Sequence, residues 1–245
     1  MPRKNKKSNS KNINKKPNVS SQITTVTQPK KINILKPKTK NQEEFIINLA
    51  ENTIILATGP AGSGKTKISV AYGIEKLLGG YYKRLIITRP VVEAGEHLGY
   101  LPGSFEEKID PYLQPIYYEL SQYLSKQDLQ TFLNNGINRR GQEEIVIAPL
   151  AYMRGMNYHD SYMILDEAQN CTKEQIKLFI TRVGFNSKAV LVGDDKQSDL
   201  PNNKSGLNYW HETLKGIKNV ATFKLDKTDI IRNPVISDIL SKIGE

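Results

Sequence analysis

Apolar residues fall into six short runs along the chain, each bounded by polar or turn-forming residues. Runs of this length that are rich in Ile, Val and Leu predict β-strands buried on both faces of a sheet. The predicted strands are Thr53–Thr58, Arg84–Thr88, Glu144–Ala148, Tyr162–Leu165, Ala189–Val192 and Ala221–Leu225.

Helical patterns separate most of these strands. One covers Lys65–Leu78, and a second begins at Asp110. Pro111 suits the first position of that second helix, while Pro115 is expected to distort its first turns. Apolar strands that alternate with helices predict an α/β fold, in which a parallel sheet carries helices on both faces.

Two capping boxes predict further helix starts. Asn41 is followed three residues later by Glu44, and Thr172 is followed three residues later by Gln175. The first of these places the beginning of the folded part at about residue 41. We therefore predict two regions: a disordered basic tail over residues 1–40 and one domain over residues 41–245.

The basic charge of the chain is concentrated in this tail. Of the 35 Lys and Arg residues, 12 lie in residues 1–40, which leaves 23 for the remainder against all 25 Asp and Glu residues. The tail also has no aromatic residue, so it cannot bury enough apolar surface to offset the entropy of ordering. It is either a solubilising arm or an electrostatic arm for phosphate backbones, and Ile32, Ile34 and Leu35 could dock as a short edge strand.

Cysteine and histidine usage excludes some classes of protein. Cys171 is the only cysteine, so no intrachain disulfide can form, which suggests the reducing cytoplasm. The three histidines are far apart in sequence, and no Cys/His cluster has the spacing of a zinc site. No apolar stretch approaches the roughly 20 residues that cross a bilayer, so no membrane association is expected.

A glycine-rich segment follows the first predicted strand and opens the first long helix. Its residues are Gly59, Pro60, Ala61, Gly62, Ser63, Gly64, Lys65 and Thr66. They match the phosphate-loop pattern G-x-x-x-x-G-K-[ST] in the strand–loop–helix context that this pattern requires. Backbone N–H groups and the positive end of the helix form an anion site there. The motif predicts that the loop binds ATP, that Lys65 contacts its β- and γ-phosphates, and that Thr66 binds Mg²⁺.

Two adjacent carboxylates follow the fourth predicted strand. Ligands of open α/β sheets bind at the carboxyl ends of strands, where Tyr162–Leu165 delivers Asp166 and Glu167. We expect Asp166 to hold the Mg²⁺ shell and Glu167 to orient or deprotonate the attacking water. A helix cap is the alternative for this pair taken alone, but the phosphate loop favours the catalytic interpretation.

A polar turn, Gly193–Gln197, follows the fifth predicted strand. Gln197 is predicted to contact the γ-phosphate or its attacking water and to report hydrolysis to nearby loops. An ordinary surface turn is the alternative interpretation.

Together these segments resemble the PhoH-like protein family, a group of single-core P-loop ATPases related to superfamily-one helicases. The resemblance extends from about Asn41 to the end of the chain and implies a RecA-like P-loop NTPase core. It includes Arg89–Gly99, Leu101–Ser104, Glu107–Tyr112, Ala148–Gly155, Asp166–Asn170, Leu178–Phe185, Asp199–Pro201 and Asp229–Arg232.

The resemblance implies two further site residues. Gln42 stands where related helicases place a glutamine on adenine, and Arg232 stands where they place a transition-state arginine. Asn233 follows this arginine, where family members often have histidine. Because the chain has one core and related helicases close two cores over one ATP, the resemblance also implies a homo-oligomer, with a hexamer expected by analogy.

Three functions share the phosphate loop. The first is an ATPase that acts on RNA or single-stranded nucleic acid, and the second is a slow ATP-dependent switch with a protein partner. The third, a small-molecule kinase, is disfavoured by the paired carboxylates, since a kinase must exclude water. Candidate polynucleotide contacts lie in loops after strand ends: Arg89, Glu93, His97, Tyr152 and Arg154. The alternative is a packed loop whose charges pair internally.

Overall fold

A computed structural model describes residues 34–90, 105–138, 143–200, 204–231, 235 and 242 of the chain. Within these residues, six strands form one sheet in the order β3-β2-β4-β5-β1-β6, and every neighbouring pair is parallel. The strands are β1 Ile54–Thr58, β2 Arg84–Arg89, β3 Glu144–Pro149, β4 Ser161–Leu165, β5 Lys188–Gly193 and β6 Val220–Lys224. All six predicted strands are confirmed, and their ends differ from the predicted ends by at most one residue.

Six α-helices accompany the sheet in the described residues. They are α1 Lys40–Glu51, α2 Lys65–Leu78, α3 Phe105–Ser121, α4 Lys126–Asn138, α5 Lys173–Ile180 and α6 Leu207–Thr213. The predicted capping box of Thr172 and Gln175 is present at the start of α5. At α1, however, Thr39 is the N-cap and accepts a hydrogen bond from the backbone of Gln42, so the predicted box at Asn41 is wrong.

The region after β2 departs most from the sequence prediction. Helix α3 begins at Phe105, so Pro111 and Pro115 lie inside it and Pro111 is not its first residue. The buried side chains Leu113, Ile116 and Leu120 attach α3 to the core. Packing of this apolar face outweighs the backbone hydrogen bonds that the two prolines cannot donate. Helix α4 was not predicted.

Helices cover both faces of the sheet, as the strand–helix alternation predicts. Side chains of β4 alternate between two apolar clusters, with Ile164 on one face and Met163 on the other. Helices α1 to α4 pack on the first face, and α5 and α6 pack on the second. Both faces of the central strands are therefore buried, and because all neighbouring strands are parallel, their carboxyl ends lie at the same edge of the sheet.

Contacts with the domain begin before the predicted boundary at residues 40 and 41. Ile34 and Leu35 pack against the first face in a segment that belongs to no strand. Thr39 donates a hydrogen bond to the Asp229 carboxylate, near the other end of the domain. The division into a tail and a domain stays a prediction, but these contacts place the beginning of the packed part at residue 34 or earlier.

No helix among the described residues is both long and apolar enough to cross a bilayer.

Lys188, the first residue of β5, closes the C-terminal end of α1. Its buried ammonium donates to the carbonyl oxygens of Leu49 and Asn52, and at 3.3 Å to that of Ala50. Burial lowers the pKa of this ammonium to about 8. A helix end leaves such carbonyls without intrahelical donors, so Lys188 joins α1 to the sheet through them.

We expect Lys188→Met to lower the free energy of unfolding by about 1–3 kcal/mol, because these carbonyls lose their donor. Urea denaturation measures the change. Lys83→Met is the matched control, since the Lys83 side chain is 65% exposed and its ion pair with Asp160 is 3.9 Å long. The control should change stability by less than about 0.5 kcal/mol, and an equal effect of both variants would contradict the proposed role of Lys188.

Candidate active site

Predicted site residues from three segments converge at the carboxyl edge of the sheet. The phosphate loop follows β1, the carboxylate pair follows β4 and the polar turn follows β5, and these three strands are neighbours. One cavity of about 350 Å³ lies between the segments. Its lining includes Lys65, Thr66, Asp166, Glu167 and Gln197.

The phosphate loop takes a backbone path that two of its glycines make possible. Gly59 has a φ of 150°, and a Cβ at this position would lie 2.6 Å from the carbonyl oxygen of Leu225. Gly64 has a φ of 90° and is the N-cap of α2, where its Cβ would lie 3.2 Å from the Gln42 side chain. A side chain at either position would therefore force the loop to move.

Lys65 turns its ammonium back into the loop. Its Nζ donates to the carbonyl oxygens of Gly59 at 2.7 Å and Pro60 at 2.8 Å, and lies 3.4 Å from Ser63 Oγ. Burial lowers the pKa of Lys65, while the carboxylates of Asp194, Glu167 and Asp166 act in the opposite direction. A phosphate group that enters the loop would offer this cation stronger acceptors than the carbonyls it now contacts.

A hydrogen bond joins the phosphate loop to the carboxylate pair. Thr66 Oγ1 donates to Asp166 Oδ1 at 2.7 Å, and the backbone N–H of Asp166 is held by the carbonyl of Thr88 at 2.9 Å. Burial raises the pKa of Asp166, and the Thr66 bond partly offsets that effect. A hydroxyl and a carboxylate oxygen that already touch fit the oxygen ligands that Mg²⁺ requires.

Glu167 adopts a backbone conformation that is uncommon for residues other than glycine, with a φ of 53°. Its Oε1 lies 3.2 Å from Arg89 Nη2, and its Oε2 accepts a hydrogen bond from Gln169. The side chain stays 35% exposed and borders the cavity. Strained backbone of this kind concentrates at functional sites, where the surrounding structure maintains it.

Arg89 thus lies beside the candidate site through its ion pair with Glu167. In the register of β2 and β4, Thr88 is the partner of Leu165. Arg89 and Asp166 therefore follow side by side at the carboxyl edge, and Glu167, the next residue after Asp166, lies within reach of the Arg89 side chain. Arg89 thus pairs internally, as the alternative interpretation of this residue predicts, and Glu167 can be named as its partner only when the two strands are known to be neighbours.

Two site residues were not singled out from the sequence. Gln169 and Asp194 are both buried and both line the cavity. Asp194 Oδ2 accepts from the backbone N–H of Ala61 at 3.1 Å, and the Asp194 backbone N–H donates to Gln169 Oε1 at 3.0 Å. Gln169 lies within Asp166–Asn170 and Asp194 within the predicted polar turn Gly193–Gln197, but spacing along the chain does not indicate that they touch.

Gln197 and Gln42 occupy different surroundings. Gln197 is exposed at the cavity, and its backbone N–H donates to the Asp194 carbonyl at 3.3 Å. Gln42 is buried beside the loop, where its Nε2 donates to the carbonyl of Ser63 at 3.1 Å and its Oε1 accepts from the Lys38 N–H at 2.9 Å. A second cavity of about 360 Å³ borders Gln42 and the loop, lined partly by Ile34, Leu35, Ile68, Tyr123 and Ile231.

The remaining predicted residues are only partly within the described structure. Arg232, Glu93 and His97 lie outside the described residues. Tyr152 is 51% exposed and Arg154 is exposed, and both follow β3 at the carboxyl edge.

The sequence profile of the PhoH-like protein family matches residues 34–243. The chain belongs to this family. The resemblance that the motif residues carry is therefore confirmed over nearly the whole domain.

Several PhoH-like relatives are similar in sequence. The PhoH-like protein of Bacillus subtilis is 44% identical over 216 residues, which cover 88% of this chain and 66% of that protein. The PhoH-like protein of Mycobacterium tuberculosis strain H37Rv is 42% identical, over 84% of this chain and 57% of that protein. Protein PhoH of Escherichia coli K12 is 39% identical, over 78% of this chain and 53% of that protein. The chain thus spans between about half and two thirds of the length of these PhoH-like relatives.

Among solved structures, the large terminase of a thermophilic bacteriophage is similar at a TM-score of 0.49 and 13% identity. The match covers 84% of this chain and 50% of that one.

Proposed function

We propose that this PhoH-like chain binds ATP with Mg²⁺ and hydrolyses it, and that hydrolysis is coupled to RNA or single-stranded nucleic acid. The binding and hydrolysis of ATP are supported above all by the hydrogen bond between Thr66 and Asp166. It joins a phosphate-binding loop to a carboxylate pair at one cavity, which is the arrangement that phosphoryl transfer to water requires.

The loop and its lysine would bind and orient the phosphates. Backbone N–H groups of the loop and the N-terminus of α2 would donate to the phosphates, and the Lys65 ammonium would leave the loop carbonyls to contact the β- and γ-phosphates. Thr66 and Asp166 would hold Mg²⁺, which neutralises charge on the phosphates when bound.

Glu167 would act on the water. Its carboxylate accepts a proton from the attacking water as the new P–O bond forms and the bond to the β-phosphate oxygen breaks, which leaves ADP and inorganic phosphate. Gln197, exposed beside the same cavity, would contact the γ-phosphate or this water. A water-activating carboxylate of this kind favours a hydrolase over a kinase.

The second cavity would take the base of the nucleotide. It adjoins the phosphate loop at Gly62 and Gly64, and aliphatic side chains supply much of its wall. Gln42 lies between this wall and the loop, so its amide would exchange its present backbone partners for polar edges of adenine.

Coupling to a polynucleotide is supported by charge and exposure. The 12 basic residues of the tail would contact phosphates, and Tyr152 and Arg154 offer an aromatic ring and a cation at the carboxyl edge. The test is ATP turnover with RNA, with single-stranded DNA and with no polymer. Stimulation by a polymer is the expected result. Slow turnover that no polymer changes would instead favour a switch with a protein partner.

Removal of residues 1–40 would test the tail, but residues 34–39 contact the domain, so the truncation should end at residue 33. We expect ATP turnover without polymer to stay unchanged, while nucleic-acid affinity falls and depends less steeply on salt, because fewer counterions are released. Fluorescence anisotropy over a series of salt concentrations measures both quantities. An unchanged salt slope would identify the tail as a solubilising arm.

A neighbouring subunit would complete the site. We propose that copies of the chain assemble in a ring and that Arg232 reaches the γ-phosphate of an adjacent copy, because related helicases supply this arginine from a second core and the described residues form one sheet. Arg232→Ala and Lys65→Ala subunits, each inactive alone, should regain activity when mixed. No recovery in mixtures that have exchanged subunits would contradict action across the boundary.

A further inference from the structure

The side-chain amide of Gln169 lies between Glu167 and the turn after β5. Its Nε2 donates to Glu167 Oε2, and its Oε1 accepts the backbone N–H of Asp194 at 3.0 Å. The orientation of the amide follows from these partners, because a backbone N–H can only donate and a carboxylate can only accept. A flipped amide would lose both bonds, so Gln169 holds one orientation.

The Gln169 side chain is closely packed in a buried position. Gln169 is 6% exposed, and its backbone carbonyl also accepts from Ser198 Oγ at 3.1 Å. A Cβ added at Gly193 would lie 2.6 Å from Gln169 Oε1 and 2.9 Å from its backbone nitrogen. The last residue of β5 must therefore be small for Gln169 to reach both of its partners.

The contacts continue from Gln169 to the phosphate loop. Asp194, which donates to Gln169, accepts the backbone N–H of Ala61 through its side chain at 3.1 Å. A continuous series of hydrogen bonds therefore runs from the Glu167 carboxylate through Gln169 and Asp194 to the loop. It fixes the distance between the carboxylate and the loop without using the bond between Thr66 and Asp166.

We propose that Gln169 is a positioning residue, which holds the Glu167 carboxylate in place relative to the phosphate loop. This inference rests on the proposed hydrolysis of ATP. Arg89 restrains only one oxygen of Glu167, and the side chain is otherwise partly exposed. Without the amide, the carboxylate can rotate about its side-chain bonds, and a misplacement of about 1 Å is enough to slow a reaction by as much as a hundredfold.

Two substitutions separate this role from a purely structural one. Gln169→Met keeps the length of the side chain but removes both bonds, whereas Gln169→Glu keeps the acceptor for Asp194 and replaces the donor to Glu167 by a second carboxyl group, which repels Glu167 when ionised. We expect each to lower kcat by about 10- to 100-fold. The dissociation constant of a fluorescent, non-hydrolysable ATP analogue should change by less than about threefold. The matched control is Gln127→Met, which replaces an exposed glutamine on α4 and should leave kcat and affinity unchanged.

A double-mutant cycle tests whether Gln169 acts through Glu167. In single-turnover measurements with radiolabelled ATP, Gln169→Met should cost about 10- to 100-fold in the wild-type background but less than about threefold on top of Glu167→Gln. An equal loss in both backgrounds would overturn the proposal, as would a parallel loss of kcat and nucleotide affinity in Gln169→Glu.

A crystal structure of nucleotide-free Gln169→Met gives a readout independent of activity. We expect the Glu167 carboxylate to leave its present position while the backbone of the loop is retained. An unmoved carboxylate in a variant with reduced kcat would overturn the positioning role, and it would do so even if the rate of the double variant is too low to measure.

Different results would contradict the proposed function and the proposed role of Gln169. If Lys65→Ala and Glu167→Gln hydrolyse ATP as the unmodified protein does, the proposed site itself is wrong. If those two variants are inactive but both Gln169 variants keep normal kcat, only the role of Gln169 is wrong.

Discussion

Lys65→Ala should lower ATP turnover by at least about a hundredfold, because it removes a cation from the position where charge develops on the transferring phosphoryl group. The ammonium already lies within the loop, 2.7 Å from the Gly59 carbonyl and 2.8 Å from that of Pro60. It therefore already lies beside the backbone of the loop that would hold the phosphate. Steady-state release of phosphate measures turnover, and the affinity for ATP is also expected to fall because a direct contact is lost.

The control for this variant is Lys83→Ala. Lys83 directly precedes the amino end of β2, whereas the cavity lies at the carboxyl ends of the strands. Its side chain is 65% exposed. Its loss should leave turnover unchanged, which separates the loss of a specific cation from the loss of one positive charge. Hydrolysis by Lys65→Ala at the rate of the unmodified protein would show that the loop is not the site of the reaction.

Glu167→Gln should bind ATP normally and hydrolyse it about 10²- to 10⁴-fold more slowly. An amide of the same shape cannot take a proton from water, yet it fills the space beside Arg89 and Gln169. Equilibrium binding of a fluorescent ATP analogue and single-turnover hydrolysis measure the two effects separately. Retained binding with slow chemistry would assign Glu167 to the water rather than to the nucleotide.

Glu212→Gln serves as the comparison, since Glu212 is a 69% exposed carboxylate on α6 that takes no part in the cavity. It should behave as the unmodified protein in both assays. The opposite pattern for Glu167→Gln, with weak binding and a normal rate for the ATP that remains bound, would make Glu167 a structural residue.

The strands and the phosphate loop could be predicted because each depends on neighbours in sequence. Apolar runs of four to six residues specify buried strands, and the eight residues of Gly59–Thr66 carry their own turn chemistry and helix start. Errors arose where packing outweighs local preference. Helix α3 continues through Pro111 and Pro115 because its apolar face is buried against the core, an effect that no window of local sequence contains.

The sequence by itself determined a parallel α/β domain with a phosphate loop, two carboxylates after one strand and a polar turn after another. Only the tertiary structure decided which side chains meet. The strand order places β2 beside β4 and β4 beside β5, so Arg89 and Asp194 reach the Glu167–Gln169 segment from distant parts of the chain. Local patterns specify strands and turns through short-range forces, whereas strand order results from how all the helices and strands pack together. The contacts that hold Glu167 therefore emerge only when the sheet has formed.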